Sequence, residues 1–242
     1  MIRTLRLSIY YQLLMSLRMK QALFFTLVFP VFLFVLFGNL WGQGNPEYVP
    51  FILTGILGMN VATEGIFAIG PALKDYYSSG VLRYFKKLPF NILTHFFGLI
   101  TSQLIMMLMS TVLLLIAAAL LFGMPLTPLL LLRVALGVSV GIVVFGFIGL
   151  SVAFLNVKKS NGPPQRGGLG NVVYYVLVFL SDAFYPLGDM NPVLRYVTKS
   201  SPMNPVLNIM RGEPIAWLPL IVWTVLGMSL FLIQFRRFTS TR

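Results

Sequence analysis

Six long apolar runs, almost free of charged residues, constrain the fold of this chain more than any other feature. A helix needs about 20 mostly apolar residues to cross the roughly 30 Å hydrocarbon core of a bilayer. The chain is 57% hydrophobic and only 10% charged, so it has too few polar residues to form the surface of a soluble domain. These runs predict an all-α membrane protein with six transmembrane helices in one domain over residues 1–242. The predicted spans are residues 22–40, 49–72, 93–122, 129–155, 172–185 and 215–235.

The basic residues predict the orientation of these spans. Fourteen of the 18 Lys and Arg residues fall before the first span, between the second and third, between the fourth and fifth, or after the sixth. Since cytoplasmic loops carry an excess of Lys and Arg, both termini are predicted to be cytoplasmic. The opposite loops hold only Arg195, Lys199 and Arg211, and Arg133 lies just inside the fourth span, where its long stem can snorkel outward.

The N-terminal segment, residues 1–21, has an amphipathic pattern. Its apolar residues repeat at helical spacing, and its basic and polar residues fall elsewhere. This pattern predicts a helix lying in the membrane interface, although a simple topology anchor explains it equally well. The apolar positions are Leu5, Ile9, Leu13 and Leu17, and the polar ones are Arg3, Arg6, Gln12 and Lys20.

The segment between the second and third spans, residues 73–90, is polar, basic and aromatic. Val81, Leu82, Phe85 and Leu88 are spaced as on one face of a short helix. Such an amphipathic helix has an apolar face with which to bind a partner. The alternative is a positively charged loop that only fixes the topology.

The pentapeptide MNPVL occurs twice between the fifth and sixth spans. In each copy Asn can act as an N-cap and Pro as the first helical residue: Asn191 with Pro192, and Asn204 with Pro205. This pattern predicts two short helices within residues 186–212, the first ending near 199–202 and the second at Gly212. The fifth span offers only about 21 Å of helix before this segment. Residues 186–212 are therefore predicted to form an external or re-entrant hairpin.

The order of these parts resembles the ATP-binding cassette (ABC) type-2 exporter permeases. In that family the cytoplasmic helix between spans two and three couples to a separate ATPase subunit. The resemblance lies in the Gly, Leu-Arg and Leu-Pro of residues 80–89 and in FLSDAFYPLGDM followed by two NP sequences; Asp182 stands where a small residue is usual. It implies an ATPase-coupling set of Asp75, Gly80, Val81, Leu82, Arg83, Phe85, Leu88 and Pro89.

The sequence contains no catalytic motif of its own. It lacks GxxxxGK[ST], GxSxG, HExxH and any cysteine, so no P-loop, serine-hydrolase, zincin or thiolate site is predicted. The single histidine, His95, is interpreted as an interfacial side chain. No cofactor or metal is assigned to this chain, and no nucleic-acid partner is predicted. By the resemblance, ATP and Mg²⁺ would bind a partner ATPase present in two copies.

Two carboxylates inside spans, Glu64 and Asp182, are candidates for the translocation path because intramembrane charges usually face a bundle interior or water. For Glu64 the alternative is a structural hydrogen bond to a neighbouring helix, and for Asp182 it is helix capping. The predicted external gate consists of Phe184, Tyr185, Pro186, Asn191, Pro192, Asn204 and Pro205.

The leading functional hypothesis is the permease subunit of an ABC exporter in the cell membrane. Two copies, or one copy and a homologous permease, would form a path for an amphipathic or lipid-like substrate. The main alternative is a secondary transporter or half-channel coupled to ions through Glu64 and Asp182. A third is an intramembrane enzyme that uses these carboxylates or His95.

Overall fold

The described part of the chain is entirely helical. The structure is a computed structural model that describes residues 2–42, 45, 47–78, 92–155, 168–185 and 192–240, and these residues contain no strand. The helices in chain order are α1 (Ile2–Arg18), α2 (Lys20–Leu23), α3 (Phe29–Trp41), α4 (Tyr48–Glu64), α5 (Gly70–Ser78), α6 (Ile92–Phe122), α7 (Pro128–Leu155), α8 (Gly168–Phe179), α9 (Pro192–Lys199), α10 (Met203–Arg211) and α11 (Trp217–Ser240). Two π-helical segments, π1 (Phe24–Val28) and π2 (Gly65–Ile69), continue the helices beside them.

Five helical stretches in the described residues are long and apolar enough to cross a membrane. They cover Phe24–Trp41, Tyr48–Lys74, Phe97–Phe122, Pro128–Leu155 and Trp217–Arg236, with lengths of 18, 27, 26, 28 and 20 residues. These five correspond to the predicted first, second, third, fourth and sixth spans.

The predicted fifth span, residues 172–185, is not confirmed as a crossing. Its helix α8 has 12 residues, about 18 Å of rise, well short of the hydrocarbon core. The helix starts earlier than predicted and ends six residues sooner. It ends at Phe179 because the next residues bond elsewhere: the Ser181 hydroxyl donates to the Val178 carbonyl, and the Asp182 backbone N–H donates to the Asn204 side chain over 3.1 Å.

Helix α4 lies at the centre of the bundle and is buried along most of its length. Apolar side chains of α3, α6, α7 and α10 pack around it, so every face of α4 meets another helix. The largest fully buried residues of this core are Phe34, Ile52, Leu53, Ile56, Leu57, Ile66, Met107, Leu114, Phe145, Met203, Leu207 and Met210.

Glycines let α10 sit close to both α4 and α7. A Cβ atom on Gly58 would lie 2.5 Å from Leu207, and one on Gly137 would lie 2.4 Å from Met210. A Cβ on Gly141 would lie 2.7 Å from Val61. Gly137 and Gly141 are four residues apart on α7, the spacing at which small residues allow helices to approach closely.

The two π segments were not predicted from sequence, since apolar runs look the same in α and π geometry. A π turn widens the helix by one residue and is frequent at functional sites. In π2 the wider turn lies against α7, where a Cβ on Gly65 would come within 2.5 Å of Phe145 and 2.9 Å of the Gly146 nitrogen.

Candidate functional site: a buried arginine cluster beside the α9–α10 pair

Arg211, the last residue of α10, lies at the centre of a buried polar cluster. Its Nη1 donates to Asp182 Oδ2 over 2.8 Å, and its Nε donates to Thr54 Oγ1 over 2.9 Å. The Arg211 and Asp182 side chains are only 7% and 13% exposed. Burial of a charged pair is tolerated only when hydrogen bonds satisfy the remaining donors and acceptors, and here most of them are satisfied.

The remaining Arg211 donors bond to backbone. Nη2 donates to the carbonyl of Asp182 over 3.0 Å and to that of Phe51 over 3.4 Å. The guanidinium carbon lies 4.1 Å from the centre of the Phe51 ring, a cation–π contact. One planar side chain therefore joins the turn after α8, the body of α4 and the end of α10, which a lysine with its single ammonium could not reproduce.

Asn204 connects the same turn to the end of α9. Its side-chain oxygen accepts from the Asp182 backbone N–H, and its Nδ2 donates to the Thr198 carbonyl over 2.9 Å. The sequence interpretation of Asn204 as an N-cap is wrong. Helix α10 begins at Met203, two residues before the predicted first helical residue Pro205, and has no side-chain cap. The amide bonds to other segments instead, because it is buried against the turn.

The end of α10 is closed by Gly212 and Arg133. Gly212 has φ of 77°, a left-handed conformation that glycine adopts without strain, and its N–H donates to the Asn208 carbonyl over 2.8 Å. The Arg133 guanidinium packs on Gly212 and donates to the Arg211 carbonyl over 3.5 Å. A cation at a helix C-terminus is favourable, so Arg133 caps α10. The predicted helix ends near Lys199 and at Gly212 are confirmed.

The aromatic members of the predicted gate lie beside this cluster. The Phe184 carbonyl accepts from the Tyr48 hydroxyl over 3.4 Å, and the Phe184 ring packs edge-on to Phe37 at 5.4 Å. The Tyr185 hydroxyl donates to the Phe179 carbonyl.

The other predicted gate residues divide between the α9–α10 pair and the undescribed part of the chain. Pro205 is buried in α10, and Pro192 is the first residue of α9, as predicted. Pro186 and Asn191 lie outside the described residues.

Glu64 lies at the opposite end of α4 from the arginine cluster. It is 6% exposed, and its Oε1 accepts from the Thr26 hydroxyl of π1 over 3.3 Å. Between the two ends, Asn60 Nδ2 donates to Ser110 Oγ of α6 over 2.7 Å. The structural hydrogen bond that was one interpretation of Glu64 is present. A role in the path stays a prediction.

Replacing Thr26 with valine is expected to lower the melting temperature in detergent by about 2–4 °C. The change removes the donor to Glu64 while keeping the side-chain shape, which costs about 1 kcal/mol in a chain of this size. The matched control is Thr101→Val, because the Thr101 hydroxyl bonds only within its own helix, to the Phe97 carbonyl. Equal shifts for the two variants would show that the Thr26–Glu64 bond adds nothing.

The predicted ATPase-coupling residues lie almost wholly outside the described part of the chain. Asp75 is in α5, but its side chain is not described, and Gly80, Val81, Leu82, Arg83, Phe85, Leu88 and Pro89 fall within the undescribed residues 79–91. His95 is in α6, and its side chain is likewise not described. Among the described residues, no three His, Cys, Asp or Glu side chains lie close enough to hold a metal ion.

Sequence reasoning missed the partners that complete these clusters. The sequence analysis identifies Arg211 only as a loop cation, and it does not single out Thr54, Phe51 or Thr26. A usable signal did exist for Arg211: a carboxylate inside an apolar run needs a partner, and Arg211 is the cation that directly precedes the predicted helix stop at Gly212.

The apolar helices and buried polar clusters define a polytopic membrane protein. The family model for the ABC-2 type transporter matches residues 3–213, which is most of the chain and covers α1 from its second residue through the whole of α10. The chain therefore belongs to the ABC-2 type transporter family and is the membrane domain of an ABC transporter. A search among curated proteins found none that matches it.

Family membership defines the general role of the chain. Members are membrane transport components, generally not catalytic themselves, and they typically work with an ATP-binding subunit. Helix α11 follows the matched region and supports the site from outside it: the Trp223 indole N–H donates to the Ser200 carbonyl, in the turn between α9 and α10, over 2.8 Å.

Proposed function

We propose that this chain is the permease subunit of an ABC exporter that moves an amphipathic or lipid-like substrate out of the cell. A separate ATPase subunit, in two copies, binds ATP and Mg²⁺. A second copy of this chain or a homologous permease completes the path. The distribution of Lys and Arg supports a cell-membrane orientation with both termini in the cytoplasm.

The observation that carries the proposal, beyond the family match, is one continuous helical path. Helices α4 and α5, with π2 between them, run without a break from Tyr48 to Ser78, about 46 Å at 1.5 Å per residue. One end is held by Arg211 through Thr54 and Phe51. The other end enters residues 79–91, the segment that resembles the family's coupling helix. Motion imposed on that segment reaches the α9–α10 pair through a single packed element.

The bonding of the two carboxylates favours this proposal over an ion-coupled carrier. Asp182 already pairs with Arg211, and Glu64 already accepts a hydroxyl hydrogen bond. A coupling carboxylate must release its partner to bind and carry an ion in each cycle, whereas ATP-driven transport requires no such exchange. The chain's single histidine likewise gives little support to an intramembrane enzyme.

Leu82→Asp and Arg83→Glu are expected to reduce the copurified ATPase subunit at least tenfold. Each change places a carboxylate on the predicted apolar and basic contact of the loop with its partner. The tagged chain is purified from its own host in a mild detergent, and bound ATPase protein and ATP hydrolysis are measured together. Arg195→Glu is the matched control, since Arg195 is an exposed cation on α9. A stable assembly that transports on an ion gradient, with no ATPase subunit, would contradict the proposed function.

Substrate class is tested by ATPase stimulation in the same complex. We expect amphipathic compounds and lipids to stimulate hydrolysis in proteoliposomes, and small hydrophilic solutes to leave it unchanged. Stimulation by hydrophilic solutes alone would overturn the substrate assignment and leave the ABC assignment intact.

A further inference from the structure

The chain turns sharply between α1 and the first apolar span, and the turn forms one wall of an open groove. Helix α1 ends at Arg18, Met19 is extended with φ of −82° and ψ of 90°, and the helix restarts at Lys20. The groove has a volume of about 490 Å³ and is lined by Met19, Lys20, Gln21, Phe25 and Thr26. A cation, an amide and a hydroxyl thus share one concave surface with an aromatic ring.

Helix α1, which precedes this turn, packs beside α6. A Cβ atom on Gly98 of α6 would lie 2.3 Å from the Ser8 hydroxyl of α1, which means that the two helices are in close contact at this point. Tyr10 and Tyr11 of α1 are exposed. Exposed tyrosines are typical of the level where headgroups meet the hydrocarbon.

Lys20, which lines the groove, and Arg18, which ends α1 just before it, have no acidic partner among the described residues. Arg18 and Lys20 are exposed, and neither forms an ion pair with any residue that the structure describes. The chain has no acidic residue before Glu47, so its N-terminal part cannot neutralise them locally. The groove is therefore positively charged and suited to an anion.

The apolar side of the groove distinguishes a lipid from a free anion. Phe25 lines the groove, and Phe24 precedes it. The two rings lie about one helical turn after Lys20 and are 54% and 48% exposed. Large exposed aromatic rings on a membrane-spanning helix face acyl chains. Cations on one side and exposed rings one turn further along match the order of a phospholipid, with its phosphate followed by hydrocarbon.

We propose that the Met19–Thr26 groove binds an anionic phospholipid of the leaflet on the N-terminal side. Lys20 and Arg18 contact the phosphate, Gln21 donates to the headgroup oxygens, and the acyl chains lie on Phe24 and Phe25. Thr26 limits the depth of the site, because its hydroxyl already donates to Glu64 and a phosphate placed there would be repelled by that carboxylate. The site is independent of the proposed transport direction and substrate.

The test is native mass spectrometry of the purified full chain titrated with phosphatidylglycerol or phosphatidylcholine. We expect phosphatidylglycerol to bind the wild-type chain at least tenfold more tightly. The double variant Arg18→Gln with Lys20→Gln is expected to bind it about thirtyfold more weakly than wild type, from about 1 kcal/mol per cation. Glycerol phosphate, which lacks acyl chains, is expected not to displace the lipid.

The control removes the same charge elsewhere. Arg195→Gln with Lys199→Gln changes two exposed cations on α9 and is expected to keep phosphatidylglycerol binding within threefold of wild type. If the groove variant fails to fold, the charge-preserving pair Arg18→Lys with Lys20→Arg is measured instead. This variant is expected to bind phosphatidylglycerol as wild type does. Equal losses in the groove and control variants, a loss below threefold in the groove variant, or displacement by glycerol phosphate would overturn the lipid site.

Discussion

Arg211→Ala is expected to detach the α9–α10 pair from α4 and to abolish transport. The substitution leaves Asp182 charged and unpaired in a buried position, and it also removes the donors to Thr54 and to two backbone carbonyls. Breaking a buried ion pair by removing one partner costs about 3–5 kcal/mol. For a chain of this length we expect the melting temperature to fall by roughly 10 °C.

Three variants separate a loss of stability from a loss of the Arg211 contacts that join α10 to α4. Arg195→Ala removes an exposed arginine of α9 and should melt within 2 °C of wild type. Asp182→Leu with Arg211→Met replaces the pair by apolar side chains of similar size, which is often near neutral for stability; it should recover most of the melting temperature and still fail to transport. Arg211→Lys keeps the charge without the planar guanidinium, and its melting temperature should lie between those of Arg211→Ala and wild type. Normal melting of Arg211→Ala would contradict the cluster's role.

Gly55→Ala is the second change with a large expected effect. A Cβ atom at this position would lie 1.8 Å from the carbonyl oxygen of Ala183 and 2.7 Å from its carbonyl carbon. Both atoms are backbone, so no side-chain rotation relieves the clash, and α4 must move away from the turn that carries Asp182. We expect a loss of about 3 kcal/mol, at the upper end for overpacking, with a melting temperature lowered by roughly 6–12 °C.

Gly146→Ala provides the matched control for Gly55→Ala. Gly146 is also buried in the middle of a helix, but a Cβ there meets only the end of Ile69 at 3.5 Å, an ordinary contact. Because alanine is the better helix former, this variant should melt at or slightly above the wild-type temperature. A similar large loss in both variants would indicate a general intolerance of buried glycine substitution and would remove the argument for the Gly55 contact.

The elements predicted with most success are those that local physics determines. Five of the predicted spans match helices that are long and apolar enough, since such runs have no stable alternative in a bilayer. The start of α9 and the end of α10 followed from Pro192 and Gly212, whose backbone preferences act within one or two residues.

Asn204 shows why an Asn-Pro pattern can fail to predict where a helix begins. Asn followed by Pro is a good N-terminal signal, and the first copy of MNPVL gave a helix beginning at Pro192 as predicted. In the second copy, α10 starts at Met203 and the amide bonds to the Asp182 N–H and the Thr198 carbonyl. Buried polar groups bond to the partners that packing supplies, whatever their local propensity.

The sequence by itself determined that this chain is a helical membrane protein, which segments are long enough to cross, and where the two short helices end. Each of these depends on runs of neighbouring residues and on the bilayer as solvent. The tertiary structure alone decided that Arg211 pairs with Asp182 and bonds to Thr54, that Thr26 bonds to Glu64, and that α8 stops at Phe179. These contacts join residues up to 157 positions apart. They form because unpaired polar groups are costly in an apolar interior, and only the packing of α4 among its neighbours determines which partner is within reach.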